Sequence, residues 1–248
     1  MGAAKMETNH EHFINRLSRK AERGNALVYV LIAIALFAAL SFTLSRQTDT
    51  GEAGEMPDDR AELYATQLVA YAVQTKSVVD QMLFTGTQID NLDFMLPTDA
   101  GFNAGTQTDK SQRVYHPEGG GLNPATLPSD AIDQIITDPP AGWYMGRFNN
   151  VEWSPTAADD VILTAFQINK KICEKINMKV NGTTAIPVLT APLREVMISA
   201  TSHTGANADL TTDPAGTPVC GSCHKVSSLC VQNQGSAAYG FYTIIADQ

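Results

Sequence analysis

The chain has 248 residues, of which 44% are apolar and 17% are charged. This composition excludes a disordered polymer and provides for at least one sizeable hydrophobic core. The formal net charge at pH 7 is −9, and because an acidic surface repels phosphate backbones we also exclude nucleic acid as the main ligand.

The first element along the chain is a long apolar segment. Nineteen uncharged and mostly apolar residues run from Ala26 to Leu44. As a helix this run covers roughly 29 Å, close to the hydrocarbon thickness of a bilayer. It therefore predicts a transmembrane helix, which we assign to residues 25–46.

Charges on the two sides of this segment predict its orientation. Four basic residues precede it and an acidic stretch follows Arg46. Basic flanks remain in the cytoplasm, so residues 1–24 are expected to be a basic cytoplasmic leader. The chain is then a single-pass protein of the bacterial inner membrane, with the linker 47–57 and an outer globular domain, 58–248, in the periplasm.

The junction between the leader and the apolar run carries a family resemblance. Arg23 and Gly24 precede Asn25, and the apolar residues ALVYVLI follow from Ala26 to Ile32. This pattern resembles the prepilin leader of type IV pilins and pseudopilins, in which a prepilin peptidase cuts after the glycine and the retained helix packs the subunit into a filament. The resemblance implies processing between Gly24 and Asn25. Tyr29 stands where major pilins carry a glutamate. Minor pilins and pseudopilins often lack that glutamate too, so the resemblance is to these specialised subunits.

A secretory signal peptide and a simple uncleaved anchor are the alternatives for this segment.

Periodicity predicts an α+β outer domain, with helices packed on an antiparallel sheet. A helix is expected over 58–84, with one buried stripe that comprises Tyr64, Leu68, Tyr71, Thr75, Val78 and Met82. Loops are expected from 87 to 140, and an aromatic hairpin is expected over 142–153. A second helix is expected to begin near Ser154 and to end at Asn181 and Gly182. Its apolar stripe comprises Val161, Ala165, Ile168, Ile172 and Ile176. Strands are expected at 185–189, 195–198 and 239–245.

All four cysteines lie in the outer domain, and a compartment outside the cytoplasm favours disulfides. Four cysteines allow three pairings, among which the sequence does not choose. We prefer Cys173 with Cys230, which joins the second helix to the approach of the last strand, and Cys220 with Cys223, which forms a small loop.

The segment Cys220-Gly221-Ser222-Cys223-His224 permits a second interpretation. Two cysteines and a following histidine in this spacing match a c-type haem attachment site, which would make the chain a membrane-tethered cytochrome through Cys220, Cys223 and His224. Thiol exchange and zinc binding are further alternatives for this cluster. Only 24 residues follow His224, and they read as a strand rather than the helical wrap of a small cytochrome. We therefore expect no cofactor and no metal, with haem as the alternative.

The sequence predicts a structural protein and not an enzyme, because no nucleophile, base or acid pair stands at a telling spacing. The expected function is a minor pilin or pseudopilin-like subunit of a surface filament or a secretion pseudopilus. Its expected partners are the membrane, a prepilin peptidase and other pilin-like subunits, with assembly into an extracellular filament. The main alternative is a permanently anchored bitopic protein whose outer domain binds a partner.

Overall fold

The computed structural model describes residues 22–48, 56–198 and 219–248. The chain divides into two compact units, Met1–Pro57 and Asp58–Gln248. The first unit contains helix α1, Glu22–Thr48, whose side chains are described from 28 to 41. The second unit is an α+β domain with a four-stranded antiparallel sheet.

The predicted membrane span is the main correction. Within the described residues, no helix combines the length and the apolarity that crossing a bilayer requires. The prediction of a transmembrane helix over 25–46 is therefore wrong. The predicted location was a single pass through a bacterial inner membrane, with a cytoplasmic amino terminus and a periplasmic domain. This prediction depended on the span and is wrong for the same reason.

Helix α2, Asp58–Phe84, is the longest element of the second unit. Its buried side chains recur every three or four residues and are mostly small, which lets the helix lie close to the sheet. They are Ala61, Ala65, Leu68, Ala72, Thr75, Val79 and Met82. The stripe predicted from the sequence contained three of these residues, Leu68, Thr75 and Met82, but it also included Tyr64, Tyr71 and Val78. These tyrosines are only partly buried, and Tyr71 packs against Trp143 with ring centroids 4.8 Å apart.

The sheet is made of four strands in the order β1-β2-β4-β3, and every neighbouring pair is antiparallel. The strands are β1 Gly142–Asn149, β2 Asp160–Ile168, β3 Ser228–Gln232 and β4 Tyr239–Ala246. The two central strands, β2 and β4, are buried at every residue. Both faces of the sheet are therefore covered.

The short helix α3, Gln107–Ser111, lies in the connection between α2 and β1. One face of the sheet packs against α2 and α4, Lys170–Asn181, and the other packs against the short helix α5, Leu193–Met197. Phe241 lies beside α2, whereas its neighbour Tyr242 joins a buried cluster with Leu193 of α5. Gly240 allows Leu193 to pack closely against the backbone of β4, because a Cβ at position 240 would stand 2.7 Å from a methyl group of Leu193.

The second predicted helix is only partly a helix, because its first half contains a strand. The residues from 160 to 168 form β2, and α4 begins only after Asn169, whose side-chain oxygen accepts the amide N–H of Lys171. Val161, Ala165 and Ile168 do stand at helical spacing, but the intervening residues are buried as well. A strand covered on both faces has no alternation to reveal it.

Three other strand predictions also differ from the structure: the hairpin over 142–153 and the strands over 185–189 and 195–198. The expected hairpin over 142–153 is only β1, whose partner is β2. The expected strand over 195–198 lies mostly in α5, and Val188 makes only an isolated bridge to Gln232. The terminal strand was placed within one residue of β4, but β3 had no distinct signal.

The long connection from α2 to β1 is organised around a buried arginine. Arg113 is 7% exposed and donates to Phe102 O at 2.6 Å, Ala104 O at 2.7 Å and Asp93 Oδ2 at 3.0 Å. A guanidinium buried with these acceptors ties three loop segments together. Nearby, Thr106 and Asp109 form a reciprocal capping box at the start of α3.

Replacing this arginine tests the account of the connection. Arg113→Met should lower the free energy of unfolding by about 2–3 kcal/mol, because the buried carbonyl of Phe102 and the partly buried acceptors of Ala104 and Asp93 lose their donor. Arg60→Met is the matched control, since Arg60 makes an ion pair with Asp130 in which both side chains are about half exposed. That change should cost no more than about 1 kcal/mol. Denaturant unfolding of both variants gives the comparison, and equal losses would contradict the role of Arg113.

Candidate functional site

The predicted processing residues lie at the start of α1. Gly24 and Asn25 fall within the first turn of the helix, which begins at Glu22. Their side chains are outside the described set, so the structure gives only their place in the backbone. Cleavage between them remains a prediction.

Between residues 28 and 41, helix α1 presents an apolar surface on all sides. Every side chain described from 28 to 41 is exposed. Nine large apolar side chains among them have exposed fractions from 49% to 74%: Val28, Tyr29, Val30, Leu31, Ile32, Ile34, Leu36, Phe37 and Leu40. Fully burying one such side chain contributes about 1.5–3 kcal/mol. This surface is the strongest candidate for binding another molecule.

The four cysteines form two disulfides, so the prediction that the domain contains disulfides is confirmed. Cys173 of α4 is bonded to Cys230 of β3, and Cys220 is bonded to Cys223. These are the pairings preferred from the sequence. The first closes a separation of 57 residues and the second a separation of 3, so the two bonds restrict the unfolded chain to very different extents.

A side-chain amide reinforces the longer disulfide. Asn177 lies one turn after Cys173 on α4 and is fully buried. Its Nδ2 donates to Cys230 O at 2.8 Å, and its Oδ1 accepts the Cys230 N–H at 2.7 Å. The outer edge of β3 thus receives both hydrogen bonds that a further strand would supply at this residue. Helix α4 and the edge strand are held by covalent and polar bonds at one point.

The geometry around Cys220 and Cys223 does not fit a haem. Both cysteines are buried, Cys220 at 4% exposure and Cys223 at 0%, within the cluster that also contains Val219 and Leu229. Their sulfur atoms are bonded to each other, whereas haem attachment would require both for thioethers. His224 is exposed, and its ring packs edge-on against Trp153 at 5.7 Å. The same disulfides occupy the thiols that a zinc site would need.

The lysines of α4 bind α2. Lys175 and Lys171 lie 3.0 Å and 3.5 Å from carboxylate oxygens of Asp58, and Lys179 pairs with Glu62 one turn further along α2. The hydrogen bond from Lys175 holds the pKa of Asp58 below its usual range, with a smaller contribution from Lys171. These exposed pairs align the first turns of α2 with the helix that carries Cys173.

A groove opens between α2 and the sheet and has a volume of about 380 Å³. Ala72 and Phe241, each 2% exposed or less, lie at its base. Val73, Lys76 and Asp80 line the α2 side, and Ser228 and Thr243 line the opposite side. Nζ of Lys76 donates to Ile245 O at 2.9 Å and to Asp80 Oδ1 at 3.1 Å. The groove therefore has an apolar base and a rim that carries one charge of each sign.

Comparison with known proteins adds no relative to this description. No protein-family model matches the chain, and neither a curated protein nor a solved structure matches it. The resemblance to pilins thus depends on the leader junction alone. In the described part of the chain, no group of three or more histidine, cysteine or acidic side chains is placed to hold a metal ion.

Sequence reasoning missed both Asn177 and the groove. An asparagine inside a helix gives no local sign that its amide bonds a strand 53 residues away. The groove is likewise assembled from residues of α2 and β4 that lie more than 150 positions apart. Only the exposed apolar residues of α2, such as Val73, could have indicated a contact surface there.

The two disulfides allow a paired stability test. Removing the longer bond by Cys173→Ala with Cys230→Ala should cost about 4 kcal/mol, because the unfolded chain regains the entropy of a loop of that length. Removing the shorter bond by Cys220→Ala with Cys223→Ala should cost about 1.6 kcal/mol on the same model. Thermal unfolding of the two double variants measures the difference. A larger loss from the shorter bond would show that packing around Cys223, and not loop closure, dominates.

Proposed function

We propose that the chain is a structural subunit of a filament, similar to the minor pilins and pseudopilins that its leader junction resembles. The exposed apolar surface of α1 carries this proposal. A helix that is apolar all round needs cover from neighbours, and in a filament equivalent helices of other subunits provide it. Its partners are therefore copies of this chain or other pilin-like subunits.

The second unit supports a structural role. Its long helix α2 packs on an antiparallel sheet, the arrangement that the resemblance to pilins implies. Two disulfides, the Asn177 amide and the buried Arg113 hold strands and loops together. Such a domain suits a subunit that must keep its shape while its helix is packed among neighbours.

Processing at the start of α1 supplies the first test. The mature amino terminus should be Asn25 in cells with an active prepilin peptidase, and the full leader should remain in cells without one. Gly24→Leu should also keep the leader, because the family's cleavage follows glycine. Mass spectrometry of the purified chain distinguishes these states. An intact leader in both strains would overturn the proposed processing.

Packing of α1 supplies the second test. Leu36→Glu places a charge at a position that is 62% exposed in the single chain but would be buried among neighbouring helices, where an unpaired charge is costly. Incorporation of this variant into sheared surface filaments should fall at least about tenfold, the effect of 1.4 kcal/mol.

The matched control for that experiment is Leu63→Glu on α2. Leu63 is 54% exposed and belongs to the other unit. The control should leave incorporation unchanged and establish that a new acidic side chain alone does not prevent export or folding. Equal incorporation of both variants would argue against assembly through α1.

A further inference from the structure

One face of α2 carries two features that neither the fold nor the filament proposal uses. The first is the groove beside Val73 and Lys76. The second is Phe84, which is 92% exposed, the largest exposed fraction among the large apolar side chains of the described residues. An aromatic side chain in this state has apolar area to bury and contacts almost nothing within its own chain.

The groove and the aromatic side chain lie along one line of the helix. Positions 73, 77, 80 and 84 are separated by four, three and four residues, so their side chains share a face. Val73, Ser77 and Asp80 line the groove, and Phe84 follows one turn after Asp80. Phe84 therefore lies about 16 Å along the helix from Val73, too far to fill the groove of its own molecule.

We propose that this face binds a second copy of the chain, with the two α2 helices antiparallel and each Phe84 in the groove of the other molecule. A two-fold axis opposite positions 78 and 79 sets Phe84 against the partner's Val73. The ring then reaches the part of the groove whose base is Ala72 and Phe241. Because the relation is two-fold, both grooves are filled at once.

Charge complementarity selects the antiparallel arrangement. The same axis sets Lys76 of each copy beside the partner's Asp80, so two further pairs of opposite sign form across the contact. Both side chains are accessible, with exposed fractions of 47% for Lys76 and 53% for Asp80. A parallel contact staggered by 11 residues would also bring Phe84 to Val73, but it would place Asp80 opposite the apolar Val69 and would bring no acid of the partner to Lys76.

Cysteine cross-linking tests the contact in the full chain, kept in mild detergent so that α1 is covered. Ser77→Cys keeps Phe84 and Val73 and should give covalent dimers with a short bis-maleimide, because the axis sets the two copies of position 77 about 4.5 Å apart along the helices. The matched control is Leu63→Cys, which is also exposed on α2 but lies far from the proposed axis. Its dimer yield should be about tenfold lower.

Charge reversal in the cross-linkable chain gives the second measurement. Lys76→Asp and Asp80→Lys should each lower the dimer yield, because like charges then face each other across the axis. Mixing the two variants should restore the yield, since a chain with two acids meets a chain with two bases. Circular dichroism of each variant verifies the fold.

Three results would overturn the proposal. A dimer yield that Phe84→Ala leaves unchanged in the Ser77→Cys chain would show that the aromatic side chain does not hold the contact. A dimer yield equal to that of the Leu63 control would show that the face does not associate. A dimer yield that stays the same after each charge reversal and after mixing of the two variants would contradict the antiparallel pairing. None of these results bears on assembly through α1, which the Leu36 variant tests separately.

Discussion

The attachment of α4 to the edge strand β3 is the constraint on which the rest of the domain depends. A disulfide joins Cys173 to Cys230, and the amide of Asn177 bonds both backbone groups of the same strand residue. A five-residue edge strand held by one neighbour would otherwise be a weak element. With α4 fixed there, its lysines meet Asp58 and Glu62 and align the start of α2. This single attachment thus positions the edge of the sheet and the pair of helices α2 and α4, and with them the groove beside α2.

The sequence was informative where local pattern and tertiary packing agree. Helix α2 was predicted over the residues it occupies, and the terminal strand was placed within one residue of β4. The buried stripe of α2 was shifted towards the tyrosines, because a search for large apolar residues overlooks alanines that allow close packing. Residues 160–168 were assigned to a helix because Val161, Ala165 and Ile168 have helical spacing. In the structure this segment is a strand between β1 and β4, and both of its faces are buried. Its sequence therefore lacks the alternation by which a strand with one exposed face is recognised.

The candidate functional surfaces also differ in how far the sequence predicts them. The apolar residues of α1 are visible in the sequence, but the bilayer span inferred from them is not found in the described residues. Long-range partners explain the remaining omissions. The donors of Arg113 and the amide of Asn177 find acceptors that no local rule predicts, and the groove needs Phe241 beside Ala72. Composition identifies which residues can bond, whereas the topology decides which of them meet.

The direction of α2 determines what its proposed pairing connects. Each α2 begins at Asp58, directly after the unit that contains α1. In an antiparallel pair centred between positions 78 and 79, the two copies of Asp58 lie about 60 Å apart along the helix axes. Subunits that run side by side in one filament share a direction, and so they cannot face each other in this way. In the proposed filament this contact would therefore join copies from separate filaments, as a lateral contact between neighbouring fibres.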